Sequence, residues 1–143
     1  MPKIEGTPPF RVARIDHVVL RVADIGRALA FYRDALGLTL ERTVAEFGLW
    51  QLRAGGSLID LVSMDGRLGR EGGAAPGREG RNVDHICLRI EPFDRDRLIE
   101  HLASCGIAPG EVARRYGADG FGPSMYLRDP DGNTVELKGP PET

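Results

Sequence analysis

Asp16-His17-Val18-Val19-Leu20-Arg21-Val22 returns 68 residues later as Asp84-His85-Ile86-Cys87-Leu88-Arg89-Ile90, with the Asp, His, Leu and Arg identical and Val18 and Val22 answered by isoleucine. An echo of this kind marks a duplicated unit, and a duplicated unit constrains fold and site together. The echo continues along the chain. Leu36-Gly37-Leu38 corresponds to Cys105-Gly106-Ile107, Leu52-Arg53 to Leu127-Arg128, and Ser57-Leu58-Ile59-Asp60-Leu61 to Asn133-Thr134-Val135-Glu136-Leu137. Small insertions account for the drift in spacing. Each half therefore offers one histidine and one carboxylate in corresponding places.

The repeated segments are short and rich in β-branched residues, which predicts strands over 15–22 and 83–90. Side chains alternate along a strand, so His17, Val19 and Arg21 share one face and His85, Cys87 and Arg89 share the equivalent one. Val18, Leu20, Val22 and Ile86, Leu88, Ile90 form the opposite, apolar faces, suited to packing on a helix. Asp24 is placed to cap a helix carrying Ile25, Ala28, Leu29, Tyr32 and Leu36 and stopped at Gly37. Asp94 caps a second, with Leu98, Ile99, Leu102 and Cys105 before Gly106, and Phe93 and Leu98 placed for a hydrophobic staple. Further strands are expected over 38–44, 47–52 and 58–63, then over 124–127 and 134–138. Ala54-Gly55-Gly56 and Asp129-Pro130-Asp131-Gly132 are suited to hairpin turns between them. Each half reads β-α-β-β-β.

Composition narrows the partners. The chain has 143 residues, 41% of them hydrophobic and 28% charged, enough for one sizeable core. Its 21 acidic and 19 basic side chains give a net charge of −2 and are spread along the sequence, so no basic face suggests nucleic acid. No apolar run approaches a membrane-spanning length and Met1 to Pro9 lack the apolar centre of a signal peptide, so a cytoplasmic protein is expected. Cys87 and Cys105 are too few for a disulfide framework or a thiolate zinc cluster and are read as packing residues.

Two glycine-rich stretches interrupt the repeat. Residues 64–82 hold six glycines and four arginines, Arg67, Arg70, Arg78 and Arg81, and read as a flexible link, with an arginine lid over an anionic substrate as the alternative. Residues 110–124 hold Arg114, Arg115, Tyr116 and Phe121 among glycines and are the better lid candidate. His101, between Glu100 and Leu102, is expected to face solvent.

The chemistry rests on His17, Asp60, His85 and Glu136. Imidazole and carboxylate suit zinc, nickel, manganese and iron(II), and two histidines with one or two acids leave coordination positions open for substrate or water. If each half-sheet curls around a shared cleft, these four converge despite their distance in sequence. Asp60 is one methylene shorter than its counterpart. Arg21 and Arg89, on the histidine faces, are candidates to receive an anionic group. Trp50, Tyr116 and Phe121, with Phe47, are the aromatic groups available to stack on a ligand.

Asp16 to Val22, Phe31-Tyr32-Arg33-Asp34-Ala35-Leu36-Gly37-Leu38, and Asp129 to Leu137 together resemble the vicinal oxygen chelate superfamily. That superfamily includes glyoxalase I, bleomycin- and fosfomycin-resistance proteins, methylmalonyl-CoA epimerase and extradiol dioxygenases. The resemblance runs from Arg14 to Gly139. It implies an α+β fold of two tandem βαβββ modules forming a cupped eight-stranded mixed sheet with helices on the outside, a divalent metal in the cup, and commonly a homodimer. The whole chain, 1–143, is then one domain, with module one at about 14–63, the glycine-rich linker at 64–82 and module two at about 83–139. Carried over by position, the metal ligands are His17, His85, Glu136 and Asp60. Glyoxalase-like members usually have glutamate at this last place, so the chain departs from them there.

Arg21, four residues after His17, stands where the family contacts the glutathione moiety, which makes glutathione a candidate co-substrate. The implied activity is a divalent-metal-dependent glyoxalase-like lyase or isomerase acting on a small oxygen-chelating substrate through an enediolate-type intermediate, with Glu136 moving the proton. Two alternatives stand beside it. With Asp60 detached, His17, His85 and Glu136 resemble the ligands of an iron(II) extradiol-type dioxygenase. A non-catalytic antibiotic-binding protein of the bleomycin-resistance kind would need an aromatic-lined groove instead.

Overall fold

Both Asp-His segments run directly into edge strands, and the parallel partner of each is the strand that carries the acid. A computed structural model describes residues 6–142; Met1 to Glu5, part of the stretch read above for a targeting signal, lie outside the described residues. The first module comprises β1 (His17–Val22), α1 (Ile25–Leu29), β2 (Thr39–Val44), β3 (Leu49–Ala54) and β4 (Ser57–Ser63). The second comprises β5 (His85–Arg89), α3 (Arg95–Ser104), β6 (Ala113–Gly117), β7 (Gly120–Arg128) and β8 (Thr134–Lys138), and α2 (Arg67–Glu71) lies between the modules. The eight strands form two four-stranded mixed sheets, ordered β1-β4-β3-β2 and β5-β8-β7-β6. The sheets are the same construction twice. β1 pairs parallel with β4 and β5 with β8, and all remaining pairs are antiparallel.

The helices begin and end as their sequences dictate. Asp24 Oδ1 accepts from Arg27 N at 3.0 Å, and Asp94 Oδ1 accepts from Arg97 N at 3.3 Å, satisfying first-turn amides. α1 continues as a π-helical segment, Ala30–Ala35, with Leu36 N donating to Phe31 O at 3.0 Å. Gly37 and Gly106 then take φ of 79° and 76°, the left-handed turn that releases each helix into the next segment.

One core serves both modules. Leu20, Val22, Tyr32, Leu52, Ile59 and Leu61 of the first cluster with Leu102, Met125, Leu127, Val135 and Leu137 of the second. A buried polar tie crosses the same boundary. The Tyr32 hydroxyl donates to Asp129 Oδ2 at 2.6 Å, while Asn133 N and Asp131 N donate to Asp129 Oδ1 at 2.8 and 2.9 Å. Burial and the Asp129 charge push the Tyr32 phenol well above its ordinary pKa, so it remains a donor. The turn read from sequence as a simple hairpin is thus also a clamp. It is reinforced by Ala23 N donating to Asp131 Oδ1 at 2.8 Å, and by Asn82, whose side chain bonds both Arg21 N and Arg21 O at 3.0 Å.

Two expectations change. Residues 110–124 are not a lid: they form β6 and the start of β7, paired from Ala113↔Ser124 to Gly117↔Gly120. Charged Arg114 and Arg115 disguised the strand because its two faces are both partly wet at a sheet edge. The linker carries a short helix, α2, rather than being irregular throughout. His101 is exposed, as expected, and its Nε2 also donates to Ala35 O at 2.8 Å, joining α3 to the end of the first-module helix.

Tyr32→Phe removes one hydrogen bond to a buried carboxylate and should lower the unfolding free energy by about 2 kcal/mol, read from urea denaturation with an unchanged m-value. A loss within error would mean that this contact does not join the modules.

Candidate functional site

Strand register decides what shares a face. In β1/β4, Val19 pairs with Asp60; in β5/β8, Cys87 pairs with Glu136. Each histidine therefore sits two residues, one side-chain repeat, before the row that holds its acid. Asp60 lies between the core residues Ile59 and Leu61, and Glu136 between Val135 and Leu137, so both acids point away from the common core with the histidines.

The histidines are oriented identically. His17 Nδ1 is 2.7 Å from Asp16 Oδ1, and His85 Nδ1 is 2.7 Å from Asp84 Oδ2. A carboxylate can only accept there, so each Nδ1 carries a proton and, in the neutral imidazole, each Nε2 presents a lone pair, the arrangement typical of metal-binding histidines. The hydrogen bond from each histidine lowers the pKa of Asp16 and Asp84. The same bond to Asp16, aided by the Asp60 charge, raises His17 above its ordinary value. His85 Nε2 also lies 3.5 Å from Glu136 Oε1, and its ring meets Tyr126 edge-on with centroids 5.8 Å apart.

Asp60 is held from one side only. Gln51 Nε2 donates to its Oδ2 at 3.1 Å, and Arg42 Nη1 holds Gln51 Oε1 at 2.9 Å. Its Oδ1 is sealed from solvent without a hydrogen-bond partner. A buried carboxylate oxygen left unpaired is a demand for a cation or a donor. This oxygen, the two free Nε2 atoms and Glu136 are the donor set that a divalent metal takes, so the residues fit the implied group as two half-sites. The halves do not meet within one chain: among the described residues, no three His, Cys, Asp or Glu side chains are grouped closely enough to hold a metal ion. A cavity of about 1180 Å³ reaches His17, His85, Cys87 and Arg89 together with core-side residues such as Val18, Ile59, Ile86 and Leu88, but neither acid lines it.

The remaining expected residues are scattered. Arg21 lies on the histidine face, with Nη1 donating to Gly73 O at 3.3 Å in the linker. Arg89 is on the equivalent face but is already paired, with Asp119 at 2.6 Å and Glu91 at 2.8 Å. Trp50 does not face the site; it pairs with Leu61, opposite in orientation to Gln51 and Asp60, and packs against the core. Tyr116 and Phe121 form an edge-to-face pair at 5.0 Å, also on the face opposite Glu136, and remain 73% and 43% exposed. Sequence reasoning missed Asp16 and Asp84, although the repeated Asp-His dipeptide was the signal for them. It also missed Gln51 and Tyr126, which take matching places beside Asp60 and Glu136. Cys87, read as packing, stands in the Glu136 row, where burial and then that carboxylate push its thiol up to about 11.

Residues 14–137 match the Glyoxalase/Bleomycin resistance protein/Dioxygenase superfamily. The chain belongs to this superfamily. It is 31% identical over 132 residues to a virulence protein of Salmonella typhimurium, covering 88% of this chain and 83% of that one. It is 28% identical over 134 residues to a probable lactoylglutathione lyase of Vibrio parahaemolyticus, covering 87% and 88%. The crystal structure of the Salmonella virulence protein superposes with a TM-score of 0.73 at 26% identity, over 91% of this chain and 98% of the other. The paired modules and their matched registers are therefore the superfamily's fold.

Replacing Asp16 with Asn should lower the His17 pKa, because the carboxylate that favours the imidazolium is gone. Chemical-shift titration of the His17 ring reads the change directly, and an unmoved midpoint would mean that the 2.7 Å contact is not kept in solution.

Proposed function

We infer that this chain is a divalent-metal-dependent glyoxalase-like enzyme, a lyase or isomerase acting on a small substrate with neighbouring oxygens. The observation that carries the reading is the pair of half-sites: in each, a histidine oriented through Nδ1 shares a sheet face with an acid two residues along the parallel register. The sealed, unpartnered Asp60 Oδ1 supports it. His17, Asp60, His85 and Glu136 would hold the ion, which when bound would supply positive charge for an enediolate-type species.

The remaining work falls to protein groups. Glu136, buried beside Cys87 and Tyr126, is the proton carrier for the substrate carbon, a task suited to a carboxylate shielded from bulk water. Asp16 and Asp84 keep the imidazoles in one tautomer, and Gln51 holds Asp60 through Oδ2, leaving Oδ1 as the unpaired oxygen. Arg21, tethered loosely through one 3.3 Å bond to the linker, is the candidate contact for a glutathione-like portion of the substrate.

Because each sheet turns its ligand-bearing face away from the shared core, the complete site is assigned to a homodimer. The first-module face of one copy meets the second-module face of the other, and a two-fold axis then makes two equal sites.

Two measurements test this. Glu136→Gln should reduce conversion of the methylglyoxal–glutathione hemithioacetal to thioester by roughly 100-fold or more. Absence of conversion by the unaltered protein with every divalent metal tried would remove the glyoxalase reading. Chains carrying His17→Ala and His85→Ala, co-expressed, should recover about a quarter of the wild-type metal sites, since a mixed two-fold dimer keeps one intact site of its two. A site built within one chain would recover none.

A further inference from the structure

Lys138 and Arg115 on the second sheet lack a carboxylate partner among the described residues, and both share the face of Glu136. Lys138 follows Glu136 by two residues in β8, so its side chain emerges on the same side about 7 Å along the strand. It is only 6% exposed. Its stem crosses the sheet where β6 and β7 have no side chains: a Cβ on Gly117 would lie 2.7 Å from Lys138 Cε, and one on Gly122 3.1 Å from Nζ. Larger residues at those two positions would displace it.

Arg115 is built into the same place. Its Nη1 donates to Ser124 Oγ at 2.8 Å and Ser124 O at 3.0 Å, and its guanidinium lies 4.5 Å above the Tyr126 ring. Ser124, fully buried, is the register partner of Lys138, and Tyr126 that of Glu136. Arg115 thus spends one of its nitrogens on a serine and stacks on the aromatic ring beside Glu136. Its remaining donors carry no hydrogen bond among the described residues.

A largely buried ammonium without a counter-charge is costly to keep, and a second unpaired cation beside it adds repulsion. Arg89, also in register with Lys138, shows the contrast, since Asp119 and Glu91 neutralise it. Glu136 is not the missing counter-ion. It lies beyond ion-pair distance of Lys138 and is directed at His85.

We propose that Lys138, Arg115 and Ser124 form an oxyanion-binding subsite, which takes a carboxylate or phosphate group of the substrate and places the reacting carbon one side-chain row away, beside Glu136. The proposal rests on the functional reading of Glu136 for its placement of the reacting carbon, but the anion site itself stands on the two unpaired cations. It names the substrate class as a small organic acid or phosphate ester.

The test uses the full chain in the presence of chelator, so that no metal contributes, and titrates inorganic phosphate and acetate separately by calorimetry and by amide shifts of Ser124 and Arg115. Saturable binding is expected, weakened at least tenfold by Lys138→Met and by Arg115→Gln, each checked for native circular dichroism, and unaffected by His17→Ala. Phosphate binding alone assigns a phosphate ester, and acetate binding alone assigns a carboxylate. Binding that is equal in the wild type and in either folded variant overturns the proposal, as does saturation by neither anion. A chain that binds anions here but never binds a divalent metal would keep this subsite and lose the metal reading; metal binding without anion binding would do the reverse.

Discussion

A parallel strand pair holds in-register side chains on one face, and this constraint organises the whole molecule. Ile59, Leu61, Val135 and Leu137 must reach the common core, so the residues between them, Asp60 and Glu136, cannot. Hydrophobic burial on one side thereby exports polar chemistry to the other. Because β1/β4 and β5/β8 use the same register, the export occurs twice with the same spacing between histidine and acid.

The price of that economy is a divided site. The apolar faces of both modules are consumed in a single core, tied further by Tyr32 and the Asp129 turn, and so the two polar faces remain apart in one chain. In the proposed dimer the same mechanical link that stabilises each subunit also sets the angle at which its half-sites are presented.

The two halves have diverged in charge. On the first, Gln51 and Arg42 brace Asp60 from the side, leaving one carboxylate oxygen unsatisfied. On the second, Tyr126 and Cys87 flank Glu136, and Lys138 and Arg115 bring positive charge close by. One face supplies restraint and the other supplies charge.

The internal repeat was legible in the residues because duplication preserves local chemistry: strands, helix caps, both glycine stops and the four ligand candidates all follow from short-range pattern. The Asp-His dipeptides carried the orienting carboxylates too, although they were not read that way. What needed the tertiary structure were relations between strands. Trp50, Tyr116 and Phe121 looked available from composition, but pairing puts them on the wrong face, since a shift of one residue reverses a strand side chain. β6 was hidden by its arginines, and Lys138 looked like any strand-end lysine until the glycines opposite it were in place. Sequence alone determined which residues could do chemistry, because periodicity and capping are local. Only the folded chain decided which of them share a face, which charges are already paired, and that four candidate ligands stand as two and two, because those outcomes depend on register and on how one core draws the modules together.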